Sequence, residues 1–239
     1  MGIRIVDLSQ EIFDGMPVYP GHQRTGIFPN KTHEETAKAY ANSPSGHTST
    51  SNCLVMSDHG PSHVDAFYHI DKNGETIDEL GLEWFYHEAI CLDMTRFCNT
   101  EDWMQPADLE EACAKADLEV PDKGSVLIWT GHYEANYGGD FHDWLYTYPG
   151  ISEAGMNWLA DRGCINVGID SPSVDSSQAF RDKGYWAHKV CRERKVLNVE
   201  NLANLKEVVN TKFIFSCLPL KIRGGTGSPV RAVAIYHGE

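Results

Sequence analysis

Long apolar runs are missing from this chain. No stretch approaches the ~20 consecutive apolar residues that span a bilayer, so no membrane-spanning helix is expected. The first residues, Met-Gly-Ile-Arg-Ile-Val-Asp, show no basic leader, apolar h-region or small-residue cleavage site. An export signal is therefore not read, and a cytoplasmic location is expected. Basic residues are scarce: 20 Lys and Arg face 34 Asp and Glu, a net charge of −14. The longest basic run, Arg192-Glu193-Arg194-Lys195, is itself interrupted by an acid. A phosphate-tracking surface needs clustered cations, so nucleic acid is excluded as a partner. Paired cysteines are absent too. The seven cysteines (53, 91, 98, 113, 164, 191 and 217) are odd in number, scattered, and never spaced C-x-x-C. Neither a zinc ribbon nor a thioredoxin-like motif fits, and reduced, mostly buried thiols are expected. Repeats, low-complexity tracts and long linkers are lacking, which points to a single domain over residues 1–239. A chain of this length hides roughly 70–75% of its unfolded surface. It needs no metal staple, so any metal it binds serves chemistry.

What is present is an alternation of strand-like and helix-like segments. Residues 2–8 read as a strand, followed by a turn-rich stretch in which Pro17 and Pro20 forbid regular helix. Cys53–Met56 reads as a buried strand, as do Glu88–Met94 and Ser125–Thr130. Pro106 suits the first turn of a helix running to about Lys115, with Asp108 near its positive end. Ser152 is a good N-cap for a helix that Gly163 closes. Cys164–Asp170 follows as a strand. A helix around His188, a short strand at 196–199, and strands at 213–217 and 230–236 complete an α/β pattern with a mixed sheet and flanking helices.

The chemistry concentrates in Asp58-His-Gly-Pro-Ser-His-Val-Asp-Ala-Phe-Tyr-His69, which holds three histidines and two carboxylates. Eleven histidines spread evenly would fall about one per twenty residues. His63 and Asp65 are two apart, so in extended backbone both side chains leave on one face. Gly60 and Pro61 break any helix between His59 and His63, leaving a turn that can fold His59 over that face. Two nitrogens and a carboxylate could then converge on a divalent ion with positions left for water. His69 lies close enough to act beside them. His188 and Glu200 straddle a helix-to-strand turn, and neither carries a signal by itself. His33-Glu34 and His87-Glu88 lack the second histidine of H-E-x-x-H, which rules out a zincin.

Residues 59–69 follow the pattern H-x-G-T-H-x-D-x-P-x-H, and His188 with Glu200 follows H-x11-E. Together with Val6-Asp-Leu-Ser9, Gly15–Gly21, Thr130-Gly131, Gly168–Asp170, Ser173, Asp175, Glu200-Asn-Leu202, Pro219-Leu220 and Gly225–Pro229, this covers nearly the whole chain. In that combination the chain resembles the cyclase family that contains bacterial kynurenine formamidase, isatin hydrolase and related lactone or lactam hydrolases. Three positions depart from the pattern: Pro61 replaces Gly, Ser62 replaces Thr, and Phe67 replaces Pro. The first two keep a tight turn and a hydroxyl, and the third sets an aromatic ring beside the site.

The resemblance implies a swivelling β/β/α domain that forms homodimers or homotetramers. It implies that His59, His63 and Asp65 hold one metal, and that Asp65 bridges to a second held by His188 and Glu200. His69 would be the catalytic acid/base, titrating near neutrality. The ion, Zn or Mn, with one or two per chain, would lower the pKa of its water from the bulk value to about 7 and polarise a carbonyl. An arylformamidase-like reaction on an amide C–N bond, as in N-formylkynurenine, comes slightly ahead because both His188 and Glu200 are present for a second metal. Ring opening of a cyclic amide or lactone, as by isatin hydrolase or dienelactone hydrolase, uses the same chemistry. Tyr19, Phe67, Tyr185 and Trp186 adjoin the proposed site residues and are candidates to contact an aromatic substrate.

Three other readings stand beside this one. His63, Asp65 and His188 also spell the two-histidine, one-carboxylate set of non-haem Fe(II) oxygenases, a reading that leaves His59, His69 and Glu200 unexplained. A metal-binding protein without catalysis and a Cys–His nucleophilic enzyme are the others.

Overall fold

In chain order, the strands are β1 (Ile3–Asp7), β2 (Gly26–Lys31), β3 (Ser51–Val55), β4 (His63–Asp65), β5 (Tyr86–Asp93), β6 (Trp103–Met104), β7 (Ser125–Trp129), β8 (Gly150–Ile151), β9 (Asn166–Ile169), β10 (Leu197–Glu200), β11 (Lys212–Ser216), β12 (Gly227–Pro229) and β13 (Val233–His237). The α-helices are α1 (His33–Ala39), α2 (Pro106–Ala116), α3 (His132–Asn136), α4 (Phe141–Tyr146), α5 (Glu153–Asp161), α6 (Ser177–Asp182) and α7 (Trp186–Arg194). This computed structural model describes residues 2–97, 103–139 and 141–238. The chain divides into two units, Met1–Gln10 with Asp58–Glu239, and Glu11–Ser57. The smaller unit pairs β2 with β3 antiparallel and carries α1. Thr32 caps that helix by accepting from Glu35 N, while the Glu35 carboxylate accepts from Thr32 N.

The larger unit is built on a nine-stranded mixed sheet, ordered β1-β13-β11-β5-β7-β9-β10-β4-β12. The central strands β5, β7, β9 and β10 run parallel to one another. Both flanks are antiparallel. Side chains of a strand leave alternately on opposite faces, and in the centre both faces are buried, as parallel strands require. Ile90, Leu92, Val126, Ile128, Val167 and Ile169 pack under the helices with Leu109, Met156, Leu159 and Val190. Ala89, Cys91 and Leu127 enter a second core with Val64, Val199, Phe213 and Phe215. Each fully buried aliphatic side chain here contributes about 1.5–3 kcal/mol.

Local signals act where the sequence predicts them. Pro106 opens α2, and the Asp108 carboxylate accepts from Gln105 N at 2.7 Å. The Ser152 hydroxyl accepts from Gly155 N at 2.9 Å and starts α5. Gly163, at φ +88°, follows the end of that helix, where a side chain would meet Asp122 Oδ1 at 2.4 Å. The short helices α1, α3, α4 and α6 are not foreseen, because five to seven residues are too few to display a 3.6-residue period. The strand expected from Val230 begins at Val233, since Val230 N is committed to Ser62 O at 2.9 Å. No described helix is long and apolar enough to cross a membrane. The described cysteines are free thiols, and Cys98 lies outside the described residues.

The topology sets up the site. β4 lies between β10 and β12, which places His63 opposite Glu200 and Asp65 opposite Gly227. Residues far apart in sequence thereby become neighbours on one end of the sheet.

Candidate metal centre

The two-residue spacing of His63 and Asp65 does what strand geometry dictates. Both side chains leave β4 on one face, with His63 Nε2 3.4 Å from Asp65 Oδ1, while Val64 points into the core. The turn through the cis Gly60–Pro61 peptide brings His59 back over the same face, its Nδ1 2.7 Å from Asp65 Oδ1. The ring of His59 stands edge-on to His63 at 5.2 Å and lies 4.1 Å from the His69 ring. Ser62 fixes the turn: its hydroxyl accepts from Gln10 N at 2.8 Å and donates to Asn201 O at 2.6 Å. The small hydroxyl residue at this position thus ties the histidine turn to the segment that follows Glu200.

The second half of the chain completes the cluster. His188, in the first turn of α7, sets its Nε2 3.5 Å from Asp65 Oδ2 and 3.6 Å from Glu200 Oε1. Glu200 ends β10, and its other oxygen is 3.6 Å from His63 Nε2. The ligand atoms of His59, Asp65 and His69 lie within 4.8 Å of one another, as do those of Asp65, His188 and Glu200. Asp65 belongs to both groups. His69 joins His59 and Asp65 in the first group, and His63 stands between Asp65 and Glu200.

Two residues of the cluster were not expected as site members. Asp175 accepts from His188 Nδ1 at 2.5 Å and from the backbone N–H of Ala187 and His188, so one carboxylate orients the imidazole and caps α7. Asn198 donates to Asp65 Oδ2 at 2.9 Å and to Glu200 Oε1 at 3.0 Å. It stands two residues before Glu200 on the same strand face, the spacing that exposes His63 with Asp65, and that signal could have found it.

The hydrogen-bond balance tests whether a cation fits. Pro61 O can only accept, so His63 Nδ1 donates to it at 2.9 Å and Nε2 is the nitrogen that faces inward. His188 likewise commits Nδ1–H to Asp175 and turns its Nε2 inward. These inward nitrogens face two buried carboxylates, 2% and 6% exposed, which receive donors from Asn198 and Val174 N. A surplus of converging acceptors of N and O type is what a divalent ion requires. Without one, protons have to serve. Burial opposes charge on His63, yet the Asp65 and Glu200 carboxylates hold its pKa raised. Burial likewise opposes charge on His188, but Asp175 and Asp65 hold it well above the usual value. Burial disfavours the Asp65 carboxylate, but His69 and His59 keep its pKa well below the ordinary range. Burial and the Asp65 charge raise Glu200.

One expectation is corrected. His69 does not titrate near neutrality: burial, together with the neighbouring histidines, pushes it down to about 4 against the pull of Asp65. Its side chain is 32% exposed, against 12% or less for His59, His63, Asp65, His188 and Glu200.

The aromatic candidates separate. Phe67 is 2% exposed and packs edge-on against Trp84 in the core, 5.4 Å between ring centres, so it is a buried neighbour rather than a surface open to a ligand. Tyr19 belongs to the Glu11–Ser57 unit. Tyr185 and Trp186 are 38% and 47% exposed at the start of α7, and the Tyr185 ring stands edge-on to His188 at 6.3 Å. Burial pushes the Cys164 and Cys217 thiols up to about 12 and holds Cys91 and Cys191 well above the usual range, which disarms them as nucleophiles.

A cluster of four imidazoles around the buried carboxylates of Asp65 and Glu200, the first of them shared between two ligand groups, fits the metal-dependent hydrolases. The comparisons agree. The family model described as Putative cyclase matches residues 6–176, and the chain belongs to that family. It is 27% identical over 230 residues to the kynurenine formamidase of Salinibacter ruber, covering 96% of each chain. Its fold matches isatin hydrolase A from Labrenzia aggregata with a TM-score of 0.84 at 22% identity, covering 99% of this chain and 94% of that one. A predicted metal-dependent hydrolase from Bacillus stearothermophilus matches with a TM-score of 0.72 at 21% identity, covering 98% and 99%.

Proposed function

We propose that this enzyme hydrolyses the amide C–N bond of an N-formylated aryl amine, as an arylformamidase does. His59, His63 and Asp65 would hold one Zn²⁺ or Mn²⁺, and Asp65, His188 and Glu200 a second. The observation that carries this reading is the surplus of inward acceptors around the Asp65 and Glu200 carboxylates. When bound, the ion supplies a water of lowered pKa and a polarised carbonyl.

The remaining work falls to the chain's own groups. His69, the most exposed of the cluster and 3.8 Å from Asp65, would take a proton from the attacking water and hand it to the departing amine nitrogen. Asn198 keeps the two carboxylates in register by donating to both. Asp175 fixes which nitrogen of His188 faces inward. Tyr185, edge-on to His188 and partly exposed, offers a ring against which an aryl group can pack.

The formamide reading draws on the relative named kynurenine formamidase. Ring opening of a cyclic amide or lactone is the second reading, favoured by the match to isatin hydrolase A over 99% of this chain. Metal-quantified enzyme assayed against an N-formyl aryl amine, isatin and an unsaturated lactone tests the choice. The formamide is expected to give a kcat/KM at least ~10-fold above the others, a transition-state difference of about 1.4 kcal/mol. Turnover of the cyclic substrates alone would hand the assignment to ring opening.

A further inference from the structure

His63 and His188 present Nε2 to the centre, but His59 presents Nδ1, and its outward nitrogen meets a hydroxyl. His59 Nε2 lies 2.8 Å from the hydroxyl of Thr226, on the segment Gly225–Pro229 that the proposed function leaves unused. That hydroxyl has a single proton, and it donates it to Asp58 Oδ2 at 2.7 Å. The Thr226 backbone N–H donates to the same oxygen at 3.1 Å, so Asp58 holds the threonine from two sides. With its proton committed to Asp58, the hydroxyl can only accept from His59. Nε2 therefore carries a hydrogen toward Thr226, and Nδ1, 2.7 Å from Asp65 Oδ1, is the nitrogen turned toward the centre.

Gly227 supplies the space. A Cβ there would stand 3.0 Å from His59 Cε1, 3.3 Å from its Nδ1 and 2.9 Å from Val64 O. A side chain there would force the imidazole and the Val64 carbonyl to give way by a few tenths of an ångström. The pairing of Gly227 with Asp65 in the sheet register puts this gap directly beside the shared carboxylate.

We infer that Asp58, Thr226 and Gly227 form a positioning slot that commits His59 Nε2–H outward and aims Nδ1 at the cation, an inference that rests on His59 being a ligand as the proposed function holds. The slot acts on His59 as Asp175 acts on His188, but through a hydroxyl. Partners that orient a ligating histidine typically change metal affinity about 10–100-fold when removed.

The test compares the parent enzyme with Thr226→Val, Thr226→Ser and Asp58→Asn by chelator competition for Zn²⁺ and by ¹⁵N-resolved spectra of the histidine rings. Thr226→Val keeps the side-chain shape and is expected to weaken Zn²⁺ binding about 10–100-fold, with Thr226→Ser restoring it to within about threefold. Asp58→Asn is expected to fall between them. The Zn²⁺-loaded parent and Thr226→Ser should show a protected His59 Nε2–H resonance that Thr226→Val lacks. Parent-like affinity and an intact Nε2–H signal in Thr226→Val would overturn the slot alone. Equal losses in the valine and serine variants would overturn it as well, by assigning the effect to packing rather than to the hydroxyl. A parent protein that takes up neither Zn²⁺ nor Mn²⁺ would overturn the proposed function itself.

Discussion

Two buried polar knots occupy the larger unit, and they differ in one respect. At the ends of β7 and β9, Asp170 accepts from Thr130 N, Thr130 Oγ1 and Gly131 N at 2.7–2.9 Å. Beside it, His132 donates from Nε2 to Trp144 O and accepts at Nδ1 from Asn136, both at 2.9 Å. Each acceptor in this knot meets a donor. Around Asp65 the residue types are the same, yet imidazole nitrogens and carboxylate oxygens converge and need protons or a cation between them. Buried polar groups left in that condition cost several kcal/mol unless something cationic joins them. The difference between a structural knot and a ligand site is thus one of hydrogen-bond balance rather than of composition.

The largest expected contrast comes from His69→Ala. It should retain metal and stability and lose about 10²–10⁴-fold in turnover, the usual contribution of a proton-transferring group. Steady-state rates on metal-quantified variant protein decide it. Near-parent activity would remove His69 from the chemistry and leave it a wall of the site.

A smaller effect should fall on stability and come from the other knot. Burial raises Asp170 from 3.8 to about 7 in spite of its three hydrogen bonds. The folded protein therefore binds a proton there that the unfolded chain has released, and this contribution is present below about pH 4 and lost as pH rises toward 7. His132 has the opposite sign. Burial lowers it from 6.5 to about 4, so its contribution is present above 6.5 and lost as pH falls through about 4. Asp170→Asn removes only the first term. Relative to the parent, the variant should gain a few kcal/mol of unfolding free energy between pH 4 and pH 7, measured by urea denaturation. A pH-independent offset would contradict the raised pKa.

The comparison also shows what a sequence displays. The central strands were legible because β-branched apolar runs such as Ser125–Trp129 have few alternatives to burial on both faces. His63 with Asp65 was legible because a period of two is a local rule. Glu200 and His188 carried no local signal and entered through family resemblance. Asp58 and Thr226 are 168 positions apart and meet only because β12 pairs with β4. No spacing rule reaches that far. Phe67 misled for a related reason: adjacency to Asp65 says nothing about which face a ring takes, and the 3₁₀ turn at Phe67–His69 sends it into the core.

The converging acceptors around Asp65 and Glu200 call for a divalent ion. Metal stoichiometry after chelation and reconstitution, compared between the parent and Asp65→Asn, tests this most directly. The parent should retain one or two Zn²⁺ or Mn²⁺ per chain, and loss of the shared carboxylate should reduce the content to background. A parent that holds no metal, or an Asp65→Asn variant that holds as much, would contradict it.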